Sequence, residues 1–302
     1  MSRRTPLLRT AVILLAGLLL LAGCTGSSDG PSSSSSAASS TGSSSGSSSG
    51  SSTGTPTAPS SSAAPTPPAA PRRDACYQLS RAELTTASNE SSPVPCTAEH
   101  NTRTFFVGTL DTVVQGHSVA VDSATVQRQL STVCPRKLAA HLGGSQTQRD
   151  LSRFNVVWFS PTLEESDQGA DWFRCDLIAF AGSERLLPLP RSASLQGVLD
   201  KPGALDRWGL CGTAAPGAAG FQRVICQRPH RWRAFATIPL EGGAAYPGVA
   251  KVRAAGDDVC KDRARDEAED TLKFTYGWEW PTRAQWASGQ RYGYCWVPST
   301  PS

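Results

Sequence analysis

Eight cysteines after residue 75 are the residues whose type and spacing could do chemistry. They form two sets of four in the same order, Cys76, Cys96, Cys134 and Cys175, then Cys211, Cys226, Cys260 and Cys295. Such thiols either pair as disulfides or hold a metal ion. A histidine stands four residues after the second cysteine of each set, at His100 and His230. Each set therefore also places an imidazole beside a thiol.

Disulfides are the interpretation that we favour over zinc. A zinc site needs reduced thiols and further nearby ligands, and the chain has no CxxC or HxxxH motif. Pairing within each set leaves three possible pairings per set. We favour Cys76–Cys96 with Cys134–Cys175, and Cys211–Cys226 with Cys260–Cys295, because the second bridge of each set would join a central helix to the last strand. The sequence leaves this connectivity open, and it predicts no metal and no cofactor.

The segments that carry the two sets are similar to each other. Residues 154–175 and 274–295 align without a gap and share six identical residues in 22 positions, against about one or two expected from average composition. An earlier block aligns Cys96 with Cys226 and His100 with His230. The sequence therefore predicts one small unit carried twice.

Each unit is predicted to be α+β, a small antiparallel sheet packed with one main helix and stapled by disulfides. Runs of β-branched and aromatic residues predict strands at 103–114, 154–160, 171–180, 233–240, 274–280 and 291–297. Apolar residues at helical spacing predict a helix around 126–138 and another around 249–270. Asp122 or Ser123 is expected to cap the first helix, and Pro247 to open the second.

The N-terminus predicts export and lipidation. Residues 1–23 combine a basic start with a short apolar run, which is typical of a secretory signal. Residues 21–24 read Leu-Ala-Gly-Cys and resemble the lipobox of bacterial lipoproteins. That resemblance implies cleavage before Cys24 and lipidation of its thiol, which would anchor the protein on the extracytoplasmic face of the cell membrane. The alternative is an ordinary secretory signal with a chance cysteine.

Composition sets the remaining boundaries. Residues 24–73 are almost all Ser, Gly, Thr, Ala and Pro, so we predict a disordered tether. The first unit is predicted over 74–183, a linker over 184–205 and the second unit over 206–298. Without the three arginines of the signal, 26 basic and 25 acidic residues remain. This balance predicts no nucleic-acid binding.

The order of cysteines, histidine and glycine in each unit resembles the septum-formation domain of actinobacterial envelope proteins. The second unit carries the closer version, in residues 226–230 (Cys-Gln-Arg-Pro-His) and 286–295 (Trp-Ala-Ser-Gly-Gln-Arg-Tyr-Gly-Tyr-Cys). The first unit keeps Cys96, His100, Gly169 and Cys175. Both units have an arginine, Arg103 or Arg233, where the family commonly has a glutamate. The resemblance covers 76–297 and implies a link to septation, but no catalytic activity.

Histidines and aromatic residues are the candidate binding groups. His100 and His230 could form a titratable binding group, but we favour a structural role in which each imidazole bonds the backbone of its turn. The C-terminal part of the second unit has more aromatic residues than a small core needs. This excess could form a surface for a glycan or a partner, built from Trp280, Trp286, Tyr292, Tyr294 and Trp296.

No catalytic residue is predicted. The chain has no GxSxG, SxxK or HExxH motif and no phosphate-binding glycine loop. Glu164, Glu165 and Asp167 have neutral counterparts in the second unit. The sequence favours a non-catalytic envelope lipoprotein that interacts with an unknown envelope or division protein. The alternatives are an extracytoplasmic lipoprotein that binds a small ligand or glycan and, with least support, an envelope enzyme.

Overall fold

The structure, a computed structural model, describes residues 66–183 and 185–299. These residues belong to one compact unit. The predicted signal peptide, Cys24 and most of the predicted tether lie outside the described residues. Within the described ranges, no helix has both the length and the apolar character needed to cross a membrane. We refer to residues 74–183 as the first half and to residues 206–298 as the second half.

The first half contains six strands and three α-helices. In chain order they are β1 (Cys76–Tyr77), β2 (Thr102–Thr109), β3 (Val113–Val114), β4 (His117–Ser118), α1 (Ala124–Leu142), α2 (Gln146–Asp150), β5 (Phe154–Phe159), α3 (Leu163–Asp167) and β6 (Trp172–Ala179). The second half contains five strands and three α-helices. They are α4 (Ala204–Trp208, which begins just before this half), β7 (Leu210–Gly212), β8 (Arg223–Ile225), β9 (Trp232–Pro239), α5 (Val249–Asp266), β10 (Gly277–Glu279), α6 (Arg283–Ala287) and β11 (Tyr292–Pro298).

Each half has one main antiparallel sheet. The first sheet has the order β1-β2-β6-β5, and the second has the order β10-β11-β9-β7-β8. The two orders match when one is reversed, with β5, β6, β2 and β1 in the places of β10, β11, β9 and β7. The second sheet has β8 as an additional edge strand. An isolated bridge between Cys76 and Val94 in the first half matches the Cys211–Val224 pair of β7 and β8. The observed architecture is mixed helix and antiparallel sheet, as predicted.

In each half, one disulfide joins the main helix to the sheet. Cys134 of α1 bonds Cys175 of β6, with the Cα atoms 5.5 Å apart, and Cys260 of α5 bonds Cys295 of β11, at 5.4 Å. The other two, Cys76–Cys96 and Cys211–Cys226, close short segments at the start of each half. The structure thus contains the pairing that we favoured. Each bridge contributes about 3 kcal/mol by restricting the unfolded chain.

The two long helices start differently. Ser123 caps α1, because its hydroxyl accepts a hydrogen bond from the backbone N–H of Val126 at 3.4 Å. α5 has no side-chain cap and begins after Gly248, which has a φ of 99°. The buried residues of both helices recur every four positions, at Val126, Leu130, Cys134, Leu138 and Leu142, and at Val252, Gly256, Cys260 and Ala264. One face of each helix therefore packs on its sheet.

The segment predicted as a linker is part of the first core. Its buried side chains are Leu187, Leu189, Leu195, Val198 and Leu199, which pack with apolar residues of α1, β2 and β6. Trp208 and Ile225 of the second half join the same cluster. The prediction of a simple connection over 184–205 is therefore corrected for residues 185–205. The first half closes its core with residues that follow it in the chain.

Candidate functional site

The two candidate histidines occupy the same turn in each half. Nδ1 of His100 lies 3.0 Å from the carbonyl oxygen of Ala98, and Nδ1 of His230 lies 2.8 Å from that of Arg228. A carbonyl only accepts, so Nδ1 is the nitrogen that carries the proton. His100 is fully buried, and its Nε2 has no hydrogen-bond partner among the described residues, whereas His230 is partly exposed. This geometry fits the structural role.

Most of the predicted aromatic surface lies in the core instead. Trp286 and Trp296 are 1% and 0% exposed, and their indole N–H groups donate to the Gly243 carbonyl and to Glu279. Tyr294 is 6% exposed. The two indole rings therefore cannot touch a ligand at the surface. Their density reflects the packing of this half around large side chains, which is a correction to the predicted aromatic platform.

The partly buried Trp280 lines one opening, and Tyr292, with Tyr294 beside it, lines another. Tyr292 is partly buried. It borders a cavity of about 670 Å³, which we call the junction cleft because residues of both halves line it. The first half contributes the end of α1, α2 and the start of β5, and the second half contributes β8 and β11. The polar lining includes Arg149, Asp150, Arg153, Arg223, Gln290 and Tyr292.

Arginines give the junction cleft its charge. Arg153 donates from Nε to the Phe180 carbonyl at 3.2 Å and from Nη2 to the Gly182 carbonyl at 2.6 Å. Among the ion pairs of the described residues, none involves Arg153 or Arg149, while Arg223 pairs with Glu279 at 2.9 Å. Burial, together with the nearby Arg223 guanidinium, lowers the pKa of Arg153 to about 10. The group still carries its charge at neutral pH, so the cleft favours anions.

Two tyrosines and an aspartate complete the cleft. The rings of Tyr292 and Tyr294 meet edge to face with centroids 5.4 Å apart, and the Arg223 guanidinium lies 5.0 Å from the Tyr294 centroid. Burial raises the pKa of Tyr292, and the neighbouring Tyr294 and Asp150 add to that rise. Burial also raises the pKa of Asp150, although its hydrogen bonds oppose the shift. Protonated phenols and guanidinium groups can donate hydrogen bonds to a polar or anionic ligand.

Sequence reasoning missed the arginines of this cleft. They lie on α2, at the start of β5 and on β8, so no local spacing connects them. The described residues contain no cluster of three or more His, Cys, Asp or Glu side chains that could hold a metal. The cleft offers guanidinium and phenol donors, the Asp150 carboxylate and apolar surface, which together can bind a polar ligand.

A family model described as Septum formation matches residues 145–295, half of the chain. The chain belongs to this family. The match begins at α2 and ends at Cys295 of β11, so it includes Arg149, Arg153, Arg223 and both tyrosines of the junction cleft, but not Arg136. It is narrower than the resemblance over 76–297, since β1, β2 and α1 lie outside it. No curated protein and no solved structure matches the chain.

Proposed function

We propose that this protein is a non-catalytic lipoprotein of the cell envelope that acts as an interaction module in septation. The family match over 145–295 carries the proposal. Four disulfides among the described residues support an oxidising compartment outside the cytoplasm. The basic and apolar start of the chain, with Cys24 at the expected cleavage point, supports export and lipidation.

Two septum-formation-like units make up the module in this proposal. The matching strand orders, the matching helix-to-sheet disulfides and the matching histidine turns support a duplicated unit. The shared first core joins the copies into one body. A single body with two related but different faces suits a protein that holds partners together.

The absence of a catalytic role rests on how polar groups are used in the described residues. His100 and His230 each face a backbone carbonyl. Asp176 is paired with Arg174 and accepts from Thr104, and Glu279 is paired with Arg223. These groups are engaged in structure.

The tether sets how far the module can reach. About 50 residues rich in Ser, Gly and Pro span about 40 Å on average and about 160 Å when fully extended. Anchored through Cys24, the module would contact partners in the envelope close to the membrane.

Replacement of the lipidated cysteine tests the anchor. Cys24→Ser should release the protein from carbonate-washed membranes, whereas Cys96→Ser should alter stability without releasing it. A Cys24→Ser protein that remains in the membrane pellet would contradict the lipoprotein assignment. A fluorescent fusion of the wild-type chain should concentrate at the division site, and an even distribution around dividing cells would contradict the septation role.

The junction cleft supports a second candidate, the binding of an anionic glycan. Soluble peptidoglycan fragments carry carboxylates that Arg153 and Tyr292 could bind. They should raise the melting temperature in proportion to the logarithm of their concentration above Kd. Tyr292→Phe should reduce the shift, and Arg265→Gln, on the exposed side of α5, should leave it unchanged. The same shift in all three proteins would rule out the cleft as the site.

A further inference from the structure

A groove lies on the helix side of the second sheet, beside the end of α5. Its floor includes Phe235 of β9 and Val297 of β11, and its walls include Ala264 and Glu267 of α5 and Phe274. Its volume is about 650 Å³, and we call it the α5 groove. Phe235 and Val297 are only partly buried. The described residues therefore leave these two apolar side chains partly exposed to the groove.

The same place in the first half is covered. The repeat alignment and the helix cysteines relate the groove to the first half residue by residue, with Phe105, Leu177, Leu138 and His141 at the positions of Phe235, Val297, Ala264 and Glu267. Phe105 is 6% exposed and Leu177 is 1% exposed. The covering element is the chain itself, over residues 187–199.

That covering segment is held by two kinds of contact. Its backbone makes hydrogen bonds at several points: Leu189 N–H donates to the His100 carbonyl at 2.8 Å, Arg103 donates to the Ala193 carbonyl at 2.9 Å, and His141 Nε2 lies 2.9 Å from the Ser194 carbonyl. Its leucines, Leu187, Leu189 and Leu195, are 7%, 4% and 6% exposed. Main-chain hydrogen bonds and apolar anchors together are a common way of binding an extended peptide.

The second half keeps the main parts of this arrangement. Arg233 stands where Arg103 does, and its half-exposed guanidinium lies 3.8 Å from Glu267. This wide, solvent-exposed ion pair contributes little, so Arg233 can turn to a peptide carbonyl at small cost. One feature differs, because Glu267 and its neighbour Glu269 replace an imidazole with carboxylates that only accept.

We propose that the α5 groove binds an extended, leucine-containing segment of a partner protein that also carries a basic side chain. Leucines of the segment pack on Phe235 and Val297, and a main-chain carbonyl accepts from Arg233. The basic side chain pairs with Glu267. This binding goes beyond the proposed function, because neither the lipid anchor nor septation is required for it.

A labelled synthetic peptide with the sequence of residues 185–199, RLLPLPRSASLQGVL, tests the groove in a fluorescence anisotropy titration against the full mature protein. The peptide carries the leucines and an arginine that the groove calls for. Saturable binding is expected, and a scrambled peptide of the same composition should bind at least tenfold more weakly. Arg233→Ala should weaken binding about fivefold to tenfold, in line with the loss of a hydrogen bond from a charged donor.

Two further variants make the test specific. Val297→Asp should abolish binding, while Leu272→Asp, at an exposed position away from the groove lining, should leave it unchanged. Glu267→Gln removes the carboxylate charge that pairs with the basic side chain of the peptide and should weaken binding. The proposal is overturned if the wild-type protein does not bind the peptide saturably, or if Arg233→Ala and Val297→Asp bind like the wild type. Septal localisation and membrane anchoring are measured separately, so their failure would leave this result standing.

Discussion

The first half buries an ion pair where the second half buries aromatic rings. On the face of β6 that points away from α1, Arg174 and Asp176 are 2% and 0% exposed. The aligned positions of β11 carry Tyr294 and Trp296, which are 6% and 0% exposed. The helix-facing residue between them is the disulfide cysteine in both halves. On the face of the strand that packs against the helix, the disulfide is the same in both halves. The opposite face carries an ion pair in β6 and aromatic rings in β11.

The buried ion pair is supported by its surroundings. The Arg174 guanidinium stacks 3.8 Å from the Tyr77 ring centroid and 4.7 Å from that of Phe159, and it donates to Asn89 at 2.9 Å. Asp176 accepts from Thr104 at 2.7 Å. Nε of Arg174 is 3.2 Å from Asp176 Oδ2, within ion-pair distance but not aligned as a hydrogen bond. In the second half the ion pair Arg223–Glu279 lies at a partly exposed position and so avoids much of the desolvation cost.

The two halves also differ in how the main helix packs against a tryptophan of the sheet. In the first half Leu130 of α1 is 1% exposed, and Trp158 is only partly buried with its indole N–H donating to Gln127. In the second half Gly256 stands at the position of Leu130, and Trp278 fills the space, 7% exposed. A Cβ at position 256 would lie 2.2 Å from the Trp278 ring. The Trp278 ring thus fills the space that the Leu130 side chain occupies in the first half.

Removing one partner of the buried pair should have the largest effect. Asp176→Ala leaves the Arg174 guanidinium and the Thr104 hydroxyl without the buried oxygen atoms that they face, so at pH 7 it should lower the free energy of unfolding by about 3–5 kcal/mol, measured by urea denaturation. The double variant Arg174→Met with Asp176→Leu imitates the uncharged character of the second half and should recover most of this loss. A double variant as unstable as Asp176→Ala would contradict the view that this face accepts either chemistry.

The same aspartate should make stability depend on pH. Burial raises the pKa of Asp176 from 3.8 to about 6, against the opposing effect of Arg174. Because the folded state binds the proton more tightly than the unfolded state, the stabilisation is fully present below about pH 4 and is lost as pH rises through 6. The difference amounts to about 3 kcal/mol. Urea denaturation from pH 4 to pH 7 should show this slope, and Asp176→Asn should remove it. A wild type and variant with parallel pH profiles would assign the slope to other groups.

A methyl group at Gly256 of α5 should clash with the Trp278 ring and lower the stability of the protein. Gly256→Ala should destabilise the protein by about 1–3 kcal/mol through overpacking, although the same change on an open helix position stabilises by about 1 kcal/mol. Thermal unfolding measures the effect. In a Trp278→Ala background the ring is gone, so Gly256→Ala should become stabilising. A loss of stability that persists there would mean that the ring is not its cause.

The smallest expected difference concerns the two histidines. His100→Ala removes a buried hydrogen bond and should cost about 1–2 kcal/mol, whereas His230→Ala, at a partly exposed turn, should cost under about 1 kcal/mol. The two losses should add in the double variant, because the turns share no contact described above. Melting curves of the three variants check this order. A larger loss at His230 would indicate a role for that imidazole beyond its turn.

Local patterns in the sequence predicted the elements well. The four-residue spacing of apolar positions identified α1, and the β-branched runs identified β2, β5 and β6, because these patterns arise from one buried face per element. Some strand ends were wrong: the run at 103–114 ends as a strand at Thr109, and the strand predicted at 274–280 spans only Gly277–Glu279. The favoured cysteine pairs rested on the order of the cysteines along the chain, which places the third of each set on the predicted helix and the fourth on the last predicted strand.

Long-range packing could not be predicted in this way. Residues 185–199 contain prolines and unevenly spaced leucines, which indicated a loop because no period connects them. Nothing near Arg174 in the sequence indicates that its guanidinium stacks on the rings of Tyr77 and Phe159. The aromatic surface was wrong for a related reason, because residue density does not tell which face of a strand is inside. The junction cleft and the α5 groove depend on residues from several elements.

The shared first core has a consequence for how the chain is made. Polypeptides emerge from the ribosome N-terminus first, and domains usually fold as they appear. Here the core around α1 lacks Leu199, Trp208 and Ile225 until those residues have emerged. A fragment that stops before them would expose its unfinished apolar surface and invite aggregation or proteolysis. The second half therefore completes the core of the first, and a first half expressed without Trp208 and Ile225 should be less stable than the same segment in the whole chain.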